Sequence, residues 1–321
     1  MTTPHEQLAQ FIAERVGLPE RQSHHYRLHV NSLKDRLRLH LAEFPAFPIA
    51  KVVLVGSVAN QTALRSTVSI DVVAYVHAGD APAQHRDLMP WLAEQFQEVD
   101  PNIDPNQLVV HDHGLTLHFR GCPEHFEISP LFYGRNSNDY GIFVRRETGQ
   151  RLLTSVSRHV EFLDARRRTH GPGFTHLIQL TKWWALLQRT EDPEFRLDSF
   201  AIDLIWAHLV DHGLSVEDYR DGLEGFFAWV TRTGLHEQVV ALDFQEADRV
   251  PERSGLPVVI LDPANLTNNV ASSLTDDDRS RIVAAAARTL DVLCESRYAA
   301  AEPDVTASWQ ETFGSTFGVT L

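Results

Sequence analysis

The chain has 321 residues, 43% of them hydrophobic and 22% charged, and a formal net charge of -14 at pH 7. That length suits two lobes rather than one core. The acidity excludes a broad nucleic-acid-binding surface, which needs clustered Lys and Arg, but leaves room for a single nucleotide in a local positive site.

The first expected element is a short amphipathic helix over residues 4 to 16, with Leu8, Phe11, Ile12 and Val16 on one face, stopped by Gly17 and Pro19. A longer helix follows to about Glu43. Tyr26, Val30, Leu33, Leu37 and Leu41 form its apolar stripe, and a His- and Arg-rich opposite face reads as solvated. The β-branched run Val52 to Val55 then reads as a buried strand. Gly56-Ser57 and a short polar helix or turn follow it, and a second apolar run from Ile70 to Val76 carries Asp71. The glycine lets the backbone come close to a ligand. Ser57 and the nearby N–H groups offer donors to anionic oxygens.

Beyond lies a helix around residues 85 to 97, then three short strands at Leu108–Val110, Leu115–Phe119 and Phe126–Ser129. Strands here alternate little with helices, so a mixed or antiparallel sheet is expected, an α+β lobe. GRNSNDYG, from Gly134 to Gly141, reads as a turn-rich loop, and Thr154 or Ser155 as the start of a helix to Arg168. Gly171-Pro172-Gly173 marks the lobe boundary, giving lobes over 1–172 and 173–321. The second lobe is mainly helical: Leu177, Leu180, Trp184 and Leu187 share one face, and helices follow over Phe200 to Val210 and Val216 to Thr231. LPVVILDP (256–263) is a lone strand-like run, and a last long helix begins at Thr275, where Asp276, Asp277 and Asp278 suit the positive end of the dipole.

Phosphoryl transfer from a triphosphate is helped by two Mg²⁺ ions, hard cations that prefer carboxylate oxygens. Acids two residues apart on one strand point to the same face, and a neighbouring strand can add a third. Asp71 stands in the second of these places and Glu127, in FEISP, in the third; Ser69 stands in the first. The strand, Gly-Ser turn, helix and acid-bearing strand together resemble nucleotidyltransferases of the DNA polymerase β type. More closely, the chain resembles the bacterial CD-NTases, the cyclic-oligonucleotide synthases of CBASS antiphage signalling. Gly56, Ser57, Thr62, Ala63, Leu64, Arg65, Ile70 and Asp71 lie in register with that family. FEISPLF, LIQLTKWW, LDSFAIDLI and PVVILDPANLTNNVA continue the likeness.

The resemblance implies a two-lobed nucleotidyltransferase with a nucleotide cleft, joining nucleoside triphosphates into cyclic oligonucleotides. It implies Mg²⁺ or Mn²⁺ on Asp71 and Glu127, the triphosphate on Gly56, Ser57, Lys182 and Ser199, and CBASS-type regulatory or effector proteins as partners. Phe200 lies where relatives often present an aromatic to a base, although an aromatic in an apolar helix is more commonly core. Lys182 also has a plain reading, a lysine snorkelling from its helix.

The departures count as well. Ser69 replaces a metal-bridging Asp, Glu127 replaces an Asp, and Asn60 and Gln61 stand where an Arg-Gly pair is common. Losing a charge-stabilising group of this kind costs about a hundred- to a thousandfold in rate. The alternative is therefore a catalytically silent relative that binds a nucleotide or a partner. A template-independent transferase acting on a nucleic-acid end or a protein hydroxyl is a third reading.

Other residues read more plainly. His111 and His113, two apart, would share one face of a strand, but no third ligand is evident and they read as surface. Arg166, Arg167 and Arg168 read as a solvated helix end. The two cysteines, Cys122 and Cys294, make neither a disulfide framework nor, without other ligands, a zinc site. Cys294 reads as core. The 17 histidines look scattered. No apolar run is long enough to span a membrane, and MTTPHEQLAQ lacks the apolar centre of a signal peptide, so a reduced, cytoplasmic protein is expected.

Overall fold

The computed structural model describes residues 3–67, 69–82, 85–112, 114–122, 124–134, 138–144, 149–297 and 302–319. In chain order the elements are α1 (Pro4–Phe11), continued by a π-helical turn at Ile12–Val16, α2 (Glu20–Glu43), β1 (Ile49–Leu54), α3 (Gly56–Asn60), β2 (Ile70–His77) and α4 (His85–Val99). Next come β3 (Leu108–Val110), β4 (Leu115–His118), β5 (His125–Tyr133), β6 (Gly141–Val144), β7 (Arg151–Thr154) and α5 (Val156–His170). The remainder is α6 (Pro172–Glu191), α7 (Ser199–Asp211), α8 (Tyr219–Thr233), β8 (Leu261–Asp262), β9 (Asn265–Asn269), α9 (Asp276–Ser296) and α10 (Glu302–Phe313).

The chain divides into two compact units, one made of 18–63 and 67–161, the other of 1–17, 64–66 and 162–321. The first holds a mixed sheet in the order β1-β2-β5-β4-β3, with β6 on β5 and β7 on β6. β2 and β5 are parallel, whereas β1–β2, β4–β5 and β3–β4 are antiparallel.

Alternation along β2 decides what each face does. Ile70, Val72, Ala74 and Val76 turn into the larger core with Tyr26, Val30, Leu33 and Leu37 of α2 and Leu88, Leu92 and Phe96 of α4. The opposite face carries Val73 and Tyr75 in a smaller cluster with Leu131 and Val156. Asp71 and Glu127 are in step with Val73 and Leu131, so both fall on this thinly covered face. A carboxylate there escapes the desolvation that the α2 side would impose.

The second unit is mainly helical around one large core that includes Trp184, Trp206 and Trp309. The Trp184 indole donates to Thr289 and the Trp206 indole to Thr181, each at 2.9 Å, so their buried N–H groups are satisfied. Arg65 pins the inserted segment 64–66 to this unit. Its guanidinium donates to the carbonyls of Glu14 and Ala13, which the π-turn leaves open.

Several expectations change. β6 starts on Gly141, where the expected loop ends, β7 forms in a stretch that was given no element, and α10 was not anticipated. Of LPVVILDP only Leu261–Asp262 is strand, paired with β9. The polar face of α2 is not uniformly solvated, because the His40 ring packs against Phe44 and Phe47. Arg166 is buried on the Phe162 ring between Asp211 and Asp243, not solvated. Cys294 is exposed rather than core. His113 lies outside the described residues.

Candidate active site

The site is assembled on β2, β5 and the turn into α3. In the parallel β2–β5 ladder Asp71 sits directly beside Glu127, so register alone places the two carboxylates next to each other. The Ser69 hydroxyl donates to Asp71 Oδ2 at 3.1 Å, which puts the serine at the carboxylates as the third member of the set. Gly56 opens α3 with φ +68°, and a Cβ built on it would come within 2.5 Å of Asp71 Oδ2. Only glycine tolerates both the left-handed backbone and that approach. Ser57 is the next residue, so the Gly-Ser turn is laid against Asp71.

Glu127 is held from the side by residues that the sequence reading had not assigned. His125 Nε2 lies 3.0 Å from Glu127 Oε1. Thr116, opposite Glu127 in the β4–β5 ladder, donates to the same oxygen at 3.3 Å. His111, read as surface, is exposed and reaches Thr116 Oγ1 at 2.8 Å. His125 was findable, since it lies two residues from Glu127 on one strand and shares its face. Thr116 was not, because cross-strand register is a tertiary fact.

The remaining predicted residues belong to the other unit. Ser199 is the exposed first residue of α7, whose N-cap Asp198 accepts from the Phe200 N–H. Phe200 is half-buried against the helical core, the plain reading of that aromatic. Lys182 is buried on α6 and its ammonium lies 2.6 Å from Asp203 of α7. Burial pushes the Asp203 carboxyl above its ordinary pKa, and Lys182 offsets part of that.

The donor set can be tested against a divalent cation. Two adjacent carboxylates, with backbone tucked close to one of them, supply the hard oxygens that such an ion prefers. They fit one ion well; a second would have the neutral Ser69 hydroxyl in place of a bridging carboxylate.

Paired acids on neighbouring parallel strands beside a Gly-Ser turn, in a mixed sheet flanked by helices, define a polymerase-β-like nucleotidyltransferase. No protein-family model matches the chain. It is, however, 34% identical over 313 residues to the cyclic AMP-AMP-AMP synthase of Escherichia coli (strain MS 115-1), covering 98% of this chain and 97% of that one. To the CBASS oligonucleotide cyclase CdnC of E. coli (strain KTE188) it is 30% identical over 327 residues, 99% of each chain. Among solved structures, E. coli MS115-1 CdnC with ATP superposes with a TM-score of 0.94 at 33% identity, covering 99% of this chain and 100% of that one. The CdnC:HORMA-deltaN complex gives 0.93 at 33% identity over 99% of each chain. The chain belongs to the CD-NTase family of CBASS oligonucleotide cyclases.

Proposed function

We propose that this protein joins nucleoside triphosphates into a cyclic oligonucleotide second messenger of antiphage signalling. Adenine nucleotides are the first candidates, in keeping with the relatives' names. The observation that carries the reading is the side-by-side register of Asp71 and Glu127 against the Gly56-Ser57 turn. A catalytically silent role gains no support from relatives that bear synthase and cyclase names.

In each joining step a ribose hydroxyl of one nucleotide attacks the α-phosphorus of another. The bond to the β-phosphate breaks, pyrophosphate leaves, and the hydroxyl proton passes to solvent; the last step closes the ring. A divalent cation, Mg²⁺ or Mn²⁺, would be held by Asp71 and Glu127, where it supplies charge neutralisation to the triphosphate. Asp71 orients the attacking hydroxyl, its own position set by Gly56 and Ser69. His125 and Thr116 keep Glu127 from swinging away. Ser57 donates to the phosphate oxygens. Lys182 serves both Asp203 and a phosphate, because an ammonium has three protons to donate.

We place the protein in the cytoplasm, where triphosphates are abundant; none of the described helices is long and apolar enough to cross a membrane. Since a relative has been solved with a HORMA protein, a HORMA-class partner is the regulatory protein to try first.

The test is to incubate purified protein with labelled triphosphates and Mg²⁺ or Mn²⁺, with and without such a partner. Phosphatase-resistant product and stoichiometric pyrophosphate are expected, with Asp71→Asn and Glu127→Gln each reducing the rate at least about a hundredfold. Absence of both products under every condition overturns the reading.

A further inference from the structure

Away from the carboxylates, the first unit brings together a second set of ligating atoms of different chemistry. His25 and His29 stand four residues apart on α2, on one face of the helix. Cys122 lies in the turn between β4 and β5. The two imidazole nitrogens and the Cys122 sulfur all lie within 4.8 Å of one another. We propose that His25, His29 and Cys122 form a zinc site that ties α2 to the β4–β5 turn, with Glu124 or water completing the coordination.

Two of the spacings match tetrahedral zinc, and the sulfur lies within 4.8 Å of both nitrogens. Two nitrogens each about 2.0–2.1 Å from such an ion lie roughly 3.3 Å apart, and the Nε2 atoms of His25 and His29 are 3.2 Å apart. A sulfur at about 2.3 Å and a carboxylate oxygen at about 2.0 Å lie roughly 3.5 Å apart, and Cys122 Sγ is 3.5 Å from Glu124 Oε2.

The surroundings hold these groups in place. The His29 ring stacks on Phe119, with centroids 4.8 Å apart, and meets Phe126 edge-on. Tyr26 lies beside the thiol and the Glu124 carboxylate, close enough to feel the charge of that carboxylate. His25 is exposed, which leaves the ion a way in. Nitrogen and sulfur ligands select zinc over Mg²⁺, so the site is chemically separate from Asp71 and Glu127. Cys122 would bind as thiolate, its proton released to solvent. The ion would brace the turn that leads into β5, the strand carrying Glu127.

Metal-stripped full-length protein titrated with Zn²⁺ should take up one equivalent and melt at higher temperature. With Co²⁺ it should show a thiolate-to-cobalt absorption band, absent in Cys122→Ser and retained in Cys294→Ser. His25→Ala should weaken Zn²⁺ binding by roughly 100-fold. Because His25 is exposed, that variant should leave the metal-free melt unchanged, so its effect cannot be misfolding. Asp71→Asn should bind Zn²⁺ as the parent does. Three results would each overturn the assignment: no uptake by the parent, equal uptake by Cys122→Ser, or loss of uptake in Asp71→Asn.

Discussion

At the scale of single residues, the setting of the Asp71 carboxylate turns on Gly56 and Ser69. Alanine at 56 must hold φ near +68° and place its Cβ within 2.5 Å of Asp71 Oδ2. The left-handed backbone costs roughly 1–2 kcal/mol in stability, and the displaced carboxylate costs more in rate, about a hundredfold. Thermal melts and initial rates of Gly56→Ala separate the two effects: a variant that melts lower yet turns over normally would show that Asp71 does not need the close backbone. Ser69→Asp tests the other side of the same carboxylate. A third charge beside Asp71 and Glu127 should lower the half-saturating Mg²⁺ concentration and raise turnover, up to about a hundredfold. An unchanged Mg²⁺ dependence would mean that position 69 does not reach the cation.

Between elements, the joint of α6 with α7 combines packing with buried charge. Thr181 accepts the Trp206 indole N–H and donates to the Leu177 carbonyl, while the next residue, Lys182, meets Asp203. Removing one member of a buried ion pair strands the other, at about 3–5 kcal/mol. Lys182→Met should therefore destabilise strongly, and the double variant Lys182→Met, Asp203→Leu should recover most of the loss. The double variant also isolates the role in phosphate binding, because it folds without the ammonium. If Lys182 serves the triphosphate, ATP titration of this folded variant should show markedly weakened binding; parent-like affinity would leave the lysine a structural role alone.

Over the whole molecule, histidines drawn partly or wholly out of solvent set the response to acid. Burial, and secondarily His5, lowers the pKa of His176, which is hydrogen-bonded to Tyr219; burial, and secondarily His212, lowers that of His208. In each case the unfolded chain binds the proton more tightly than the folded one. Their contribution is therefore intact above the unfolded value of about 6.5 and is lost as pH falls below it. The melting temperature should drop between about pH 7 and pH 5, by at most roughly 1.4 kcal/mol of stability per pH unit for each histidine. His176→Gln and His208→Gln should flatten that slope; an unchanged slope in both would assign the acid sensitivity elsewhere.

The sequence by itself determined the parts whose signal is local and periodic. The Val52 run, Gly56-Ser57 and Asp71 announced strand, turn and acid because period-2 burial, a left-handed turn and a lone carboxylate in an apolar run are each visible within a few residues. The stripe from Tyr26 to Leu37 and the Thr275 cap were legible for the same reason, and Glu127 was identifiable from FEISP. What only the tertiary structure decided concerns partners distant in the chain. Register set Asp71 beside Glu127 and Thr116 across from it; the α6–α7 joint gave Lys182 its buried partner; packing turned Arg166 inward and left Cys294 outside. Histidines that look scattered along the chain meet a cysteine nearly a hundred positions away because a helix stacks His25 over His29 and a sheet carries the β4–β5 turn to them. Side-chain chemistry is written residue by residue, but which groups share a face or an ion depends on strand register and helix docking, and these are energies of the folded whole.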